Sequence, residues 1–218
     1  PGTISASHGR VKNANTTALI GRPLREDLEA RIGRSIEIET DANCFALAEA
    51  MHGAGQGARC VFGVILGTGV GGGIVLDQRI WPGAQGIAGE WGHTTLYPEG
   101  PPCYCGRRGC VELYLSGTGL SRSYAMCGED EIPAEEVWAR AGKEEPIAGE
   151  VVAQYKENFG RAMAQVINIL DPDVIVLGGG VSNAPGLAEE ATGLIQPHLF
   201  NDEILTRVAR HRLGDSAG

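Results

Sequence analysis

The sequence predicts an α/β fold, and three observations carry that prediction. A continuous apolar run, Cys60 to Leu66, stops at Gly67-Thr68-Gly69 and is followed by a second strand, Gly73 to Leu76, before the turn Asp77 to Arg79. A long stretch, Ile147 to Leu170, places Val151, Tyr155, Phe159, Met163, Ile167 and Leu170 at spacings of three and four, the stripe of a helix lying on a core. Asp171-Pro172-Asp173 ends it, and the short apolar strand Val174 to Leu177 runs into Gly178-Gly179-Gly180, the helix–strand–glycine order of a parallel sheet.

Earlier in the chain, Gly21 to Ile38 predicts a short amphipathic helix bearing Leu24, Leu28 and Ile32 and closed by Gly33, then a strand Ser35 to Glu39. Asp41 begins a second helix through Phe45, Leu47, Ala48 and Met51, with its carboxylate at or near the N-cap. A plain capping role for Asp41 competes with a chemical one. The Gly-Thr-Gly tip of the hairpin exposes backbone N–H groups and a hydroxyl without an intervening side chain, which suits phosphate oxygens, although any tight hairpin carries glycines. Ligands of parallel sheets sit beyond the carboxyl ends of strands, where the Gly178 to Gly180 turn would receive a nucleotide's base or ribose.

Between the hairpin and the long helix, His93, Cys103, Cys105 and Cys110 follow the pattern H-x9-C-x-C-x4-C, just after Gly89-Glu90-Trp91-Gly92-His93. Three thiolates and an imidazole suit a closed tetrahedral zinc site, so this loop is expected to be fixed by metal. Cys103 and Cys105 are too close to bridge each other comfortably, and Cys44, Cys60 and Cys127 lack framework spacing and are expected to be buried small apolar residues. Glu90 and Glu112 flank the ligands, and anchoring His93 and Cys110 would aim both carboxylates at a polyhydroxylated ligand. Trp81 and Trp138 are expected in the core, and Trp91 at the floor of the pocket.

With 18 basic against 27 acidic residues and a formal charge of −9, the chain has no electrostatic footprint for nucleic acid or for an anionic membrane. A chain of 218 residues buries a sizeable core without disulfide staples. No signal peptide or long apolar span is legible, so a reducing cytoplasm is the expected home. The 33 glycines cluster at Gly67 to Gly73, Gly83 to Gly92 and Gly178 to Gly180, as close backbone approaches and tight turns require.

Taken together, Pro1-Gly2, Thr40-Asp41-Ala42-Asn43, the Gly67 to Gly73 run, Gly89 to His93, Cys103 to Glu112 and Leu177 to Gly180 resemble the ROK family of sugar kinases and repressors, in order over nearly the whole chain. Within it, Val11-Lys12-Asn13-Ala14-Asn15 and Pro102 to Gly106 are most similar to bacterial fructokinases, manno(fructo)kinases, with the N-acetylglucosamine kinases close behind. The resemblance implies an actin-like ATPase, ribonuclease H-like fold of the two-lobed hexokinase type. Residues 1–39 would be a remnant of the N-terminal lobe, and 40–218 the C-terminal lobe with a structural zinc loop at 89–112.

Carried over by position, the resemblance implies that Asp41 takes the proton from a hexose 6-hydroxyl attacking the γ-phosphoryl of ATP. Thr40, Glu90, His93 and Glu112 would hold sugar hydroxyls, with His93 binding zinc through one ring nitrogen and facing the sugar with the other. Gly67, Thr68 and Gly69 would contact phosphates, and Gly178, Gly179 and Gly180 the adenosine. Magnesium on the ATP phosphates is implied without a nameable ligand, and a homodimer is expected. Two departures stand out. Thr40 replaces the family's usual Asn, and the amino-terminal Asp-x-Gly-Gly-Thr phosphate loop is absent, so the chain is expected to be a fragment with little or no kinase activity on its own. Fructose or mannose is the expected sugar; an N-acetylglucosamine kinase, or the sugar-sensing domain of a ROK repressor, is the alternative.

Overall fold

The computed structural model describes residues 3–5, 7–12, 14 and 16–215. Pro1, Gly2, Ala6, Asn13, Asn15 and residues 216–218, some of which carry the family likeness, lie outside the described residues. A two-stranded ribbon pairs β1 (Thr3–Ile4) antiparallel with β2 (Val11–Lys12), and α1 (Leu24–Ile32) follows. Then come α2 (Asp41–His52), β3 (Cys60–Leu66), β4 (Val70–Leu76) and β5 (Arg79–Ile80). The zinc-type loop leads into α3 (Glu112–Leu115), α4 (Gly117–Ala125), α5 (Ala134–Ala141) and α6 (Pro146–Leu170). Finally β6 (Val174–Gly178), α7 (Leu187–Ile195) and β7 (Arg207–Arg210) complete the described chain.

The main sheet is mixed, in the order β5-β4-β3-β6-β7. β3 pairs antiparallel with β4 and parallel with β6, and β6 runs parallel to β7. Alternation along the central strands divides the core between two helical layers. Val61, Val174 and Val176 pack with Phe45, Ala46 and Ala50 of α2 on one face. Phe62, Val64, Leu66, Ile175 and Leu177 join the larger cluster with Tyr155, Phe159 and Met163 of α6 on the other. Because both faces are covered, β6 is apolar and buried throughout, as its sequence foretold.

Glycines allow α2 to lie almost on the sheet. A Cβ at Gly63 would stand 2.6 Å from the Ala46 Cβ, and one at Gly73 2.6 Å from the Ala42 carbonyl oxygen. Gly71, Gly72 and Gly73 therefore belong to strand β4 and serve packing; the predicted second strand starts three residues early, at Val70. The hairpin turn at Asp77 and Gln78 has positive φ at both positions, the mirror-image turn that matches strand twist.

Several expectations are corrected. Residues 35–39 form no strand: the Glu29 carboxylate accepts the Ile36 N–H and Arg25 pairs with Glu37, so α1 holds this segment in place of a ladder partner. The apolar side of α1 meets no core, and Ile32 is exposed. Cys44 and Cys127 are exposed and Cys60 only half-buried. Trp81 is 53% exposed beyond β5, whereas Trp138 is buried, donating to the Pro185 carbonyl. No helix among the described residues is long and apolar enough to cross a membrane.

Candidate active site

Asp41 is the first residue of α2, and the cap is its neighbour: the Thr40 hydroxyl accepts the Asn43 N–H at 3.1 Å. Asp41 is exposed, and among the described residues its carboxylate accepts only the adjacent Ala42 N–H, on Oδ1 at 3.0 Å. Thr40 satisfies the helix end, which leaves the Asp41 carboxylate available. Ala42, pressed on Gly71 and Gly73, sets the position of that carboxylate from one face of β4.

From the opposite face of β4, Gly72 admits the Gly89 carbonyl and the Trp91 indole, each of which would meet a Cβ there at 2.6 Å. Gly89 itself has φ +90°, a backbone conformation open to glycine. The buried Trp91 packs edge-on to Phe62 and donates from Nε1 to the Gly71 carbonyl, which fixes the short turn carrying Glu90 and His93 against β4. Glu90 is raised above the ordinary carboxylate range by desolvation first, then by the charges of Asp41 and Glu112, against a lowering influence from His93. Asp41, Glu90, His93 and Glu112 are thus brought into one electrostatic neighbourhood.

Glu112 opens α3, and its Oε2 accepts the Val70 N–H at 3.0 Å. A Cβ at Gly69 would lie 2.7 Å from that oxygen, so the glycine turn admits the carboxylate. His93, Cys103, Cys105 and Cys110 bring their ligand atoms within 4.8 Å of one another, with Cys103 and Cys110 buried. This donor set fits a tetrahedral metal of the zinc class. Burial and the neighbouring thiols push the Cys110 thiol up to about 12, while, against desolvation, hydrogen bonds from the Arg107 backbone and from Cys103 and Cys110 lower Cys105, so the sulfurs share their protons as one cluster. The His93 Nδ1 faces this cluster, 3.7 Å from the Cys103 sulfur, while Nε2 meets the Tyr104 hydroxyl.

Gly67, Thr68 and Gly69 lie where predicted, at the carboxyl end of β3, and Gly178 to Gly180 at the parallel end of β6. The two glycine turns meet: a Cβ at Gly179, which has φ +79°, would stand 2.4 Å from the Leu66 carbonyl oxygen. The sequence reading missed a second Gly-Thr-Gly, residues 117–119, at the start of α4. The Gly117 N–H donates to the Gly67 carbonyl at 2.7 Å, and the Thr118 hydroxyl to the Thr68 carbonyl at 3.0 Å. The buried Ser116 caps α4 by accepting the Gly119 N–H. Duplication of the tripeptide and a serine cap before it were the available signals. Tyr104, also missed, places its hydroxyl 3.0 Å from His93 Nε2. Although most of the side chain is exposed, partial desolvation of its hydroxyl, then the charge of Glu112, pushes its pKa up to about 12.

A sequence model of the ROK family matches residues 1–218. The chain belongs to the ROK family. It is 39% identical to the N-acetyl-D-glucosamine kinase of Photobacterium profundum, an alignment covering all of this chain and 75% of that protein. Among ROK structures, the hexokinase of Thermus thermophilus superposes with a TM-score of 0.89 at 36% identity, over 100% of this chain and 73% of that one. The Streptomyces griseus ROK glucokinase, solved with glucose and AMPPNP, gives 0.86 at 28% identity over 99% and 76%. The fold is therefore the actin-like, hexokinase-type α/β fold of ROK hexokinases.

Proposed function

We propose that this chain carries the active site of an ATP-dependent N-acetylglucosamine kinase that phosphorylates the sugar 6-hydroxyl. The observation that carries this reading is the identity of 36–39% with N-acetylglucosamine kinases over the whole chain. It displaces fructose and mannose, which rested on short local likenesses alone. The pocket carboxylates recognise hydroxyls common to all these sugars, so they support a hexose without choosing one.

In this reading Asp41 accepts the proton of the 6-hydroxyl as the oxygen attacks the γ-phosphorus, a role supported by its exposed position beside Glu90. Glu90 and the Glu112 oxygen not committed to Val70 accept hydrogen bonds from other sugar hydroxyls. His93, with Nδ1 toward the cysteines, carries its proton on Nε2 and donates to the sugar. Bound zinc would fix the His93 ring and the loop, held by His93, Cys103, Cys105 and Cys110. The Gly67 to Gly69 turn, braced by Gly117 and Thr118, offers N–H groups and a hydroxyl to the phosphates, with the positive end of α4 adjacent. Gly178 to Gly180 receive the adenosine. Phosphoryl transfer gains chiefly from such positioning and from neutralised charge, which a divalent ion with ATP supplies.

The test is a panel of kcat/KM values for N-acetylglucosamine, glucose, mannose and fructose, coupled to ATP consumption by the protein carrying this chain. N-acetylglucosamine is expected to lead by about tenfold or more. A lead for fructose or mannose would overturn the assignment, and tight sugar binding without turnover would favour the repressor-type sensor.

A further inference from the structure

Tyr104 sits between two of the cysteines and is 75% exposed, yet its hydroxyl is not simply in solvent. That hydroxyl lies 3.0 Å from His93 Nε2, and the two rings meet edge-on, with centroids 5.2 Å apart and planes at 87°. Since Nδ1 is turned to the cysteine cluster, Nε2 is the ring nitrogen left to face a ligand, and Tyr104 covers it. A phenol offers the same hydrogen-bonding group as a sugar carbinol, one donor and two acceptor lone pairs on carbon. The charges of Glu112 and Glu90 both act on this hydroxyl, so it lies among the side chains read above as sugar contacts.

We propose that Tyr104 is a displaceable plug: in the sugar-free protein its hydroxyl takes the place on His93 Nε2 that a hexose hydroxyl takes in the complex. The inference rests on the sugar-pocket reading above. Sugar binding then exchanges one neutral hydrogen bond for another, and the side chain swings into solvent, where most of its surface already lies. The movement is one of the side chain alone, since Cys103 and Cys105 on either side of Tyr104 hold the backbone in the ligand cluster. Tyr104 is accordingly a positioning residue that sets sugar affinity.

Calorimetric titration with N-acetylglucosamine of wild type and Tyr104→Phe tests this. The variant keeps the ring and loses the competitor, so its Kd is expected to fall about 2- to 10-fold, the worth of one neutral hydrogen bond. Its zinc content and its Kd for AMPPNP should match wild type. An unchanged or weaker sugar Kd would overturn the plug while leaving the sugar site standing; wild type binding neither N-acetylglucosamine nor glucose would remove both. The wild-type protein gives a second readout that needs no variant. Nitration of Tyr104 by tetranitromethane, located by peptide mass, should accelerate with saturating sugar, and protection by sugar would refute displacement.

Discussion

Asp41 and Thr40 divide two tasks that the sequence could not separate. One hydroxyl completes the helix end, and the following carboxylate holds just the adjacent Ala42 N–H among the described residues. Replacing Asp41 by Asn should therefore leave the melting temperature nearly unchanged while lowering kcat by about 10²- to 10⁴-fold, the usual contribution of a positioned base. Equal losses in stability and turnover would return Asp41 to a capping role. Glu90 gives the pH counterpart. Desolvation and two neighbouring carboxylates raise it, so its ionised form is costly and is lost on acidification sooner than that of an ordinary glutamate. The sign for folding is that protonation of Glu90 favours the native state, a contribution present at low pH and lost as pH rises through the raised pKa. Sugar affinity should go the other way, weakening as pH falls through that same raised pKa, and Glu90→Gln should abolish this limb in a pH series of Kd. Glu49 shows a residue of the opposite kind. Fully buried, it accepts the N–H groups of Ala54, Arg212 and Leu213, tying α2 to the end of the described chain. Glu49→Gln turns an amide donor toward at least one of these donors and should cost about 1–3 kcal/mol in denaturant unfolding.

At the scale of elements, the glycine run Gly67 to Gly73 has two duties that look alike in sequence. Gly67 to Gly69 form the turn, and Gly71 to Gly73 let α2 on one side and the Gly89 carbonyl and Trp91 indole on the other approach β4 from its two faces. Gly63→Ala, which forces a Cβ against Ala46, should destabilise by about 1–3 kcal/mol as an overpacked core does, whereas Gly69→Ala should act locally by expelling Glu112 from Val70 and weakening sugar binding. That His93, Cys103, Cys105 and Cys110 converge was legible from spacing alone, because three thiols and an imidazole in so short a stretch have few other uses. Its chemistry is checked by chelation: removal of zinc should lower the melting temperature and abolish sugar binding, and added zinc should restore both. A protein that keeps its sugar affinity after complete removal would separate metal from pocket. Less legible was the segment 35–39, whose alternating Ile36 and Ile38 imitate a strand. Period-two patterning specifies a face, yet a strand also requires a ladder partner, and here the side chains of α1 take that place.

For the whole molecule, the parts most easily read were those with a single physical explanation. The α6 stripe and the wholly apolar β6 have one physical explanation, burial: β6 lies between the two helical layers, and the stripe is the face by which α6 covers the sheet. The edge strand β7 went unseen because Arg207 and Arg210 leave only two apolar residues between them, a pattern that protects an edge from pairing and hides it from periodicity. Exposed Cys44, Cys127 and Trp81 show that residue type alone is a poor guide to depth. Convergence of the site is a property of topology: β4 receives Asp41 from one face and Glu90 from the other, while the parallel pair β3 and β6 brings two glycine turns to one end. A crystal structure with N-acetylglucosamine tests this convergence most directly. The 6-hydroxyl should lie within about 2.6–3.2 Å of the Asp41 carboxylate, with the other hydroxyls on Glu90, Glu112 and His93 Nε2; a sugar seated away from the ligand loop, or with Asp41 out of reach, would contradict the account.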